Sequence, residues 1–400
     1  MNTAGDERLR RLVLFVMMAL FALTILINLH NNPLDGDDVQ IDEQAHLSYA
    51  LTLIDQHRFW PDFDHFTMAD RTTAQPLRTT NYLNHPPTFY WLAKLAHDVV
   101  PTLTLQDYRN GATALSLLAI ALYGFIGARL AMPLVATVLY AVMPWLIYMH
   151  RQVGFYNNDC LAILGGLLVT HASLLWFEQR RTALAFRLAL IGLALASVKL
   201  TALILVGLYA ASCLLLQRPA LRSMPWQAWL AALLVGALIL LPYAHLILET
   251  GSPAPETLGQ RLMMTNHPPG DNWSRTLITG WVQEPRMHFL PWLMHFFHDF
   301  AVQVRINDTT FLPLLLIMVA MLRGLLLPQP PTPITCMLRA GFIATSITLL
   351  IHIWFAWGRY LHYGWRLDSG LRYYYPLLAV YGAACGTALN SVSRAKRDTV

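Results

Sequence analysis

Apolar runs of membrane-crossing length recur along the chain, and they constrain its fold more than any other feature. A helix needs about 20 apolar residues to cross the hydrocarbon core of a bilayer. Eight runs approach that length, at residues 12–29, 111–129, 131–149, 160–177, 228–248, 311–327, 338–356 and 371–390. With 56% hydrophobic and only 13% charged residues, a soluble globule of 400 residues is excluded. The sequence predicts an all-α polytopic membrane protein.

One further apolar stretch, residues 183–216, is too long for a single ordinary span at about 1.5 Å per residue. Ser197-Val198-Lys199 interrupts it where a turn is expected. We interpret the stretch as two short helices, which gives about ten spans in total. The first span follows three arginines and lacks a small-residue cleavage site, so it is expected to be retained.

The distribution of charge tests this topology, because short cytoplasmic loops are rich in Lys and Arg. With ten spans and both termini inside, the inner segments hold 14 of the 28 basic residues but only four of the 23 acids. Two long segments, 30–110 and 249–310, then face outward from a single domain, 1–400. Arginine outnumbers lysine 25 to 3, which favours a bacterial inner membrane with a periplasmic working surface.

Several function classes find no support in the sequence. It contains no Walker loop, Rossmann glycine signature or His-Glu-x-x-His motif, which argues against an ATP-driven pump and a nucleotide-dependent domain. The four cysteines have no paired or metal-like spacing. Because the positive charge follows the inner loops, the basic balance calls for the lipid bilayer as a partner and not for nucleic acid.

An acidic pair, Asp42-Glu43, opens the first outer segment. Leu47, Ala50, Leu51 and Ile54 follow at helical spacing, which predicts an amphipathic helix along the membrane surface with the two acids in its first turn. A second such helix is expected to begin at Pro86 or Pro87 and to continue through Leu95. Capping of the first helix would explain both carboxylates without any catalytic role.

Polar motifs follow one another on the predicted outer side in a characteristic order. They are Asp42-Glu43, the run His85-Pro86-Pro87-Thr88-Phe89-Tyr90-Trp91, Arg151 with Asp159, Ser197-Val198-Lys199-Leu200-Thr201, and Arg372-Tyr373-Tyr374-Tyr375-Pro376. In order and membrane side they resemble the C-type (GT-C) integral membrane glycosyltransferases, especially relatives of protein O-mannosyltransferases and of the lipid A aminoarabinose transferase. The resemblance covers most of the chain.

The resemblance implies a transferase that moves a hexose or pentose from a polyprenyl-phosphate donor to a hydroxyl acceptor in the periplasm, with inversion. A carboxylate base is needed for such a reaction. The implied catalytic residues are Asp42, Glu43 and Asp159. Cations would stabilise the leaving phosphate, and the candidates are Arg151, Lys199 and Arg372. The candidate substrate-binding residues are His46, His85 and Tyr373.

Three of these residues could instead have purely structural roles. Lys199 would snorkel to the interface, Arg372 would anchor an aromatic belt, and Asp159 would cap a helix. No cofactor is required, although some related transferases use a divalent metal near the acidic pair. His46 with His85, or the weaker set His295, His298 and Asp299, would then supply ligands.

Two other functions are also left open. A transporter or flippase of lipid-linked saccharides would show repeat symmetry and charges deep in several spans. A ligase or polymerase of lipid-linked glycans would share the donor but transfer a longer glycan. The sequence leaves the sugar and the class of acceptor, whether protein, lipid or glycan, unassigned.

Overall fold

The computed structural model describes residues 4–34, 41–147, 149–178, 181–217, 224–265, 289–302, 319, 321–322, 332–363 and 371–397. The α-helices in these ranges that we discuss are α1 (Ala4–Asn31), α2 (Ile41–Asp55), α3 (Thr88–Val99), α4 (Leu105–Arg129), α5 (Leu134–Leu146), α6 (Asp159–Phe177), α7 (Thr182–Ala196), α8 (Leu200–Leu216), α9 (Trp226–Thr250), α10 (Leu258–Thr265), α11 (Phe289–Val302), α12 (Pro333–Tyr363) and α13 (Leu378–Arg397). A short antiparallel hairpin, β1 (Thr67–Ala69) and β2 (Pro76–Thr80), lies between α2 and α3. The chain is an all-α polytopic membrane protein.

Six described helical segments are long and apolar enough to cross a membrane: Gly5–Asn31, Leu105–Arg129, Leu134–Arg151, Asp159–Phe177, Trp226–Thr250 and Pro333–Leu361. The break predicted in 183–216 is confirmed, because α7 ends at Ala196 and α8 begins at Leu200. The expected span 311–327 lies almost wholly outside the described residues. The total of ten spans is therefore not confirmed.

The expected span 371–390 differs most from the structure. Residues Leu371–Leu377 form a 3-10 helix, and the α-helix begins only at Leu378. Pro376 lies inside the 3-10 segment, and a proline lacks the backbone N–H that a regular helix interior requires. The α-helix that remains ends in a charged tail, and the six apolar segments do not include it.

Helix α6 is the centre of the bundle and is buried along almost its whole length. It packs against α4, α7, α8, α12, α13 and the 3-10 segment Leu371–Leu377. A side-chain carbon at Gly165 would collide with the backbone of Gly192 on α7, and one at Gly166 would collide with the backbone of Pro376. Two adjacent glycines thus let α6 approach both neighbours closely enough to fix their positions.

Residues 41–104, which include helices α2 and α3 and the hairpin, cover one end of the bundle. We call this end of the whole bundle the loop end. Leu47, Ala50 and Ile54 are buried as expected, but Glu43 and His46 are buried as well. Helix α2 is therefore enclosed on more sides than a surface helix would be, because the hairpin and α3 pack on it. Helix α3 begins at Thr88, directly after the predicted prolines, and exposes Leu92 and Leu95.

Candidate active site

The loop end holds two ion pairs that join distant parts of the chain. Arg372 Nη1 donates to Asp42 Oδ2 across 330 residues of sequence. Lys199 Nζ lies 2.5 Å from Asp159 Oδ1. The Asp42 pair is partly exposed, with side-chain exposures of 22% for Asp42 and 29% for Arg372, whereas both members of the second pair are 5% exposed. Only the first pair is open to solvent.

The ring of Tyr373 connects the two pairs. Lys199 Nζ lies 4.8 Å from its centroid and the Arg372 guanidinium carbon lies 5.5 Å from it. Both distances are within the range of cation–π attraction. Two cations of different segments are thereby held over one aromatic ring, each with a carboxylate partner. Five of the residues singled out from the sequence, two acids, two cations and Tyr373, thus form one cluster.

Hydrogen bonds from the hairpin fix the position of Asp42. Ser48 Oγ accepts from Ala69 N at 2.7 Å and Asn81 Nδ2 donates to Ala45 O at 2.8 Å, so the hairpin and its exit are tied to α2. Tyr82 follows Asn81, and its hydroxyl donates to Asp42 Oδ1 at 2.8 Å. Both carboxylate oxygens of Asp42 therefore have a donor. The sequence analysis missed Tyr82, because no spacing in the sequence relates it to α2.

The electrostatic environment of Asp42 keeps it ionised. Burial favours the neutral acid, but the charge and hydrogen bond of Arg372, with smaller contributions from His46 and Tyr82, lower the pKa of Asp42 well below its ordinary value. Asp42 is therefore an anion throughout the neutral range. A carboxylate with so low a pKa accepts a proton readily only when Arg372 is engaged elsewhere.

His46 and His85 form the wall beside Asp42. Their rings stack with centroids 5.7 Å apart, and His46 Nδ1 lies 2.7 Å from the Tyr90 hydroxyl. Burial lowers the pKa of His46 to about 4, although Asp42 and Asp159 act to raise it. Burial likewise lowers the pKa of His85 well below its ordinary value. Both imidazoles are neutral at pH 7 and can share hydrogen bonds with a polar ligand.

The lowered pKa of His46 predicts that the protein is less stable in mild acid. Between pH 6.5 and about 4 the unfolded chain binds a proton at this residue that the folded chain does not, so stability falls as the pH is lowered through this window. The full shift corresponds to about 3 kcal/mol. We expect His46→Gln to flatten the pH dependence of the melting temperature of the protein in detergent micelles.

Gln56 provides the control for this measurement, because it is exposed, directly follows α2 and carries no titratable group. Gln56→Ala should leave the pH profile as in the wild type. If His46→Gln melted with the same pH dependence as the wild type, His46 would not be the group that titrates.

Glu43 lies next to Asp42 in sequence but points to a different partner. Arg109 Nε and Nη2 both donate to its carboxylate, at 2.9 and 2.5 Å, and the backbone N–H of Tyr156 donates at 2.8 Å. Glu43 is 1% exposed and Arg109 is 4% exposed. These contacts attach the first turn of α2 to α4 and to the segment before Asp159. The geometry suits a positioning residue.

Arg109 is the second residue that the sequence analysis missed. A signal was available, because it is a lone cation at the entrance of the apolar run 111–129, where an unpaired charge is costly. Arg151 has an exposed side chain at the end of the 3-10 helix Met149–Arg151. The contacts described for the two ion pairs do not include Arg151.

The part of the chain that the structure describes contains no assembled set of metal ligands. No group of three or more His, Cys, Asp or Glu side chains there is arranged to hold an ion. His46 and His85 face each other with Tyr90 beside them, so their arrangement is that of a stacked pair. The side chains of His295, His298 and Asp299 lie outside the described residues.

Comparison with known proteins gives a structural match only. No protein-family model and no curated protein matches the sequence. The chain is similar to the crystal structure of ArnT from Cupriavidus metallidurans bound to undecaprenyl phosphate, with 14% identity and a TM-score of 0.48, over 94% of this chain and 60% of that chain. The apo state of ArnT matches with 15% identity and a TM-score of 0.43, over 94% and 59%. This chain spans about three fifths of the length of the ArnT chain in each structure.

Proposed function

We propose that this protein is a membrane glycosyltransferase that moves a sugar from a polyprenyl-phosphate donor to a hydroxyl acceptor at the loop end, on the periplasmic side of a bacterial inner membrane. The observation that carries the proposal is the pairing of Asp42 with Arg372 and of Asp159 with Lys199 around one ring, Tyr373. The cluster combines a carboxylate base with two cations that can hold a phosphate.

The phosphate-binding side of the cluster includes a helix N-terminus. Lys199 is the N-cap residue of α8, a position where the helix dipole disfavours a cation and favours an anion. Among the described residues, the Thr201 hydroxyl in the first turn of α8 and the Asn158 side-chain oxygen beside Asp159 are buried without a hydrogen-bond partner. The hydroxyl and the free backbone N–H groups of that turn are donors that an anionic phosphate would satisfy.

The reaction follows from an exchange of partners. The donor phosphate binds Lys199 and Arg372, which releases Asp42 from its strongest partner and raises its basicity. The acceptor hydroxyl attacks the anomeric carbon, its proton passes to Asp42, and the bond between that carbon and the phosphate oxygen breaks. The lipid phosphate leaves with the bonding electrons, and the two cations stabilise the negative charge that develops on it. Attack opposite the leaving group inverts the anomeric centre.

Substitution of the two cations tests this function. Membranes containing the wild-type protein should transfer label from undecaprenyl-phosphate donors that carry, in turn, a radiolabelled hexose, pentose or amino-pentose. We expect Lys199→Gln and Arg372→Gln each to lower the rate by about 10²-fold or more, since each removes a charge that stabilises the leaving phosphate. Arg129→Gln is the control. Arg129 pairs with Glu178 where α4 and α6 end, and the charged cluster lies near the other end of these two helices, where they begin.

Three outcomes would contradict the proposal. The wild-type protein could move intact lipid-linked sugar across vesicles without breaking the phosphate bond, which would favour a flippase. It could transfer no label from any of the donors. Lys199→Gln and Arg372→Gln could transfer at the rate of Arg129→Gln, in which case the cations would have a structural role only.

A further inference from the structure

A large cavity opens at the loop end, apart from the charged cluster. Its volume is about 950 Å³, at the upper end of the range for small-molecule sites. Residues 58–63, which follow α2, form one wall, and residues 249–256, which end and follow α9, form another. Phe355 and Arg359 of α12 complete it. The two long connecting segments recognised in the sequence thus meet around one hollow.

One wall of this cavity is aromatic. The ring of Trp60 lies against that of His245, with centroids 3.7 Å apart and planes tilted by 42°, and it meets Trp91 edge-on at 5.3 Å. Phe63 and Phe355 line the same space. A tryptophan held by two neighbours presents a flat apolar surface at little entropic cost. Such a surface suits a ligand with a flat apolar face.

Charged groups of both signs surround these rings. The lining includes three carboxylates, Asp62, Glu249 and Glu256, and two guanidinium groups, Arg58 and Arg359. His245 Nε2 lies 3.1 Å from Glu249 Oε1. Carboxylates accept hydrogen bonds and guanidinium groups donate them, so the lining can pair with hydroxyls in both directions. An acyl chain has no group that can exchange hydrogen bonds with these charged side chains, so it would desolvate them without compensation.

Two helices connect the cavity with the charged cluster. On α12, the ring of His352 lies 5.3 Å from that of Tyr373, and Arg359 is two turns further along, about 10 Å at 1.5 Å per residue. On α9, the Tyr243 hydroxyl donates to Ser197 O at 2.6 Å, two residues before Lys199. Helices α9 and α12 therefore carry both part of the cavity lining and residues that contact the charged cluster or its flanking segment.

We propose that this cavity binds a saccharide, as the acceptor of the proposed transfer, on which this inference rests. Aromatic faces ringed by carboxylates and guanidinium groups complement the apolar faces and the hydroxyls of sugar rings. A peptide acceptor would instead be expected to use a sheet edge or a long groove. A free glycan and the headgroup of a glycolipid present the same chemistry.

Binding to arrayed ligands tests the proposal without requiring catalysis. The full-length protein in detergent micelles is applied to immobilised neutral, amino and acidic oligosaccharides, to glycolipids carrying the same sugars, and to Ser/Thr-rich peptides. We expect the wild-type protein to bind at least one saccharide class. Trp60→Ala should weaken that binding by about tenfold, the upper range for an aromatic contact.

Three further variants control the experiment. Trp60→Phe retains an aromatic face and should bind within about threefold of the wild type, since it keeps most of the stacking surface. Trp226→Ala removes an exposed tryptophan at the far end of α9 and should bind normally. Arg129→Gln should also bind normally, since Arg129 pairs with Glu178 away from the cavity and the charged cluster. Melting temperatures within the range of the wild type establish that each variant is folded.

Several outcomes would overturn the inference. The wild-type protein could bind no saccharide, it could bind only peptides, or folded Trp60→Ala could bind as tightly as the wild type. Binding of glycolipids but not free glycans would assign the membrane-linked source. Failure of the proposed function would appear separately, as intact saccharide binding with no transfer from any lipid donor.

Discussion

Asp42→Asn is expected to lower kcat for sugar transfer by about 10²- to 10⁴-fold, the usual contribution of a general base. Asparagine has the same shape and can still accept the hydrogen bond from the Tyr82 hydroxyl. It cannot accept a proton from the acceptor, and it does not neutralise Arg372. Because Arg372 then has no competing carboxylate, KM for the lipid donor should not rise.

The measurement is a steady-state assay with labelled donor at several concentrations, which separates kcat from KM. Asp55→Asn is the matched control, because Asp55 is an exposed aspartate at the other end of the same helix. Its kinetics should equal those of the wild type. A raised donor KM with unchanged kcat in Asp42→Asn would contradict the role as base and would indicate a role in ground-state binding.

Arg109→Met is expected to lower the free energy of unfolding by about 3–5 kcal/mol, because it leaves Glu43 buried and charged without its cation. Glu43 would retain only the hydrogen bond from the Tyr156 backbone. The double variant Glu43→Met with Arg109→Met should recover much of that loss, since no buried charge remains. Denaturant unfolding in micelles measures all three variants and yields the coupling energy.

The pair Arg129–Glu178 supplies the control for this second prediction. Its two side chains are each 25% exposed, against 5% and 1% for Arg109 and Glu43. Solvent screens such a pair, so Arg129→Met should cost about 1 kcal/mol or less. If Arg109→Met and Arg129→Met lowered the free energy of unfolding equally, burial of the Glu43–Arg109 pair would not be the reason for its contribution to stability. We also expect Arg109→Met to reduce transfer, because Glu43 holds the turn that carries Asp42.

The ion pair of Asp42 with Arg372 and that of Glu43 with Arg109 differ in a way that suits the roles proposed for the two acids. Glu43 has all its described contacts inside the protein, whereas Asp42 is open to solvent and shares Arg372 with a prospective phosphate. Of the two adjacent acids, Glu43 is therefore a fixed anchor, and Asp42 is accessible enough to act as the proposed base. The local sequence does not show which acid has which role, because Asp42 and Glu43 both lie in the first turn of the same helix.

The apolar helices, whose backbone hydrogen bonds all form within the helix itself, were predictable from the sequence. The run 160–177 corresponds closely to α6, and the break at Ser197-Val198-Lys199 lies between α7 and α8. In a bilayer the backbone hydrogen bonds must form within each segment, so local hydrophobicity is enough to locate a helix. Hydrophobicity alone did not locate the last expected span, since residues Leu371–Leu377, which include Pro376, form a 3-10 segment.

The site depends on contacts that no local pattern encodes. The sequence alone determined the class of the protein, most of its apolar helices and the residues that were candidates for chemistry. Tertiary structure alone decided that Asp42 meets Arg372, that Lys199 meets Asp159, and that Glu43 turns away to Arg109. The physical reason is that a helix forms from neighbouring residues, whereas these pairs form only when close packing, as at Gly166, brings separate helices to one place.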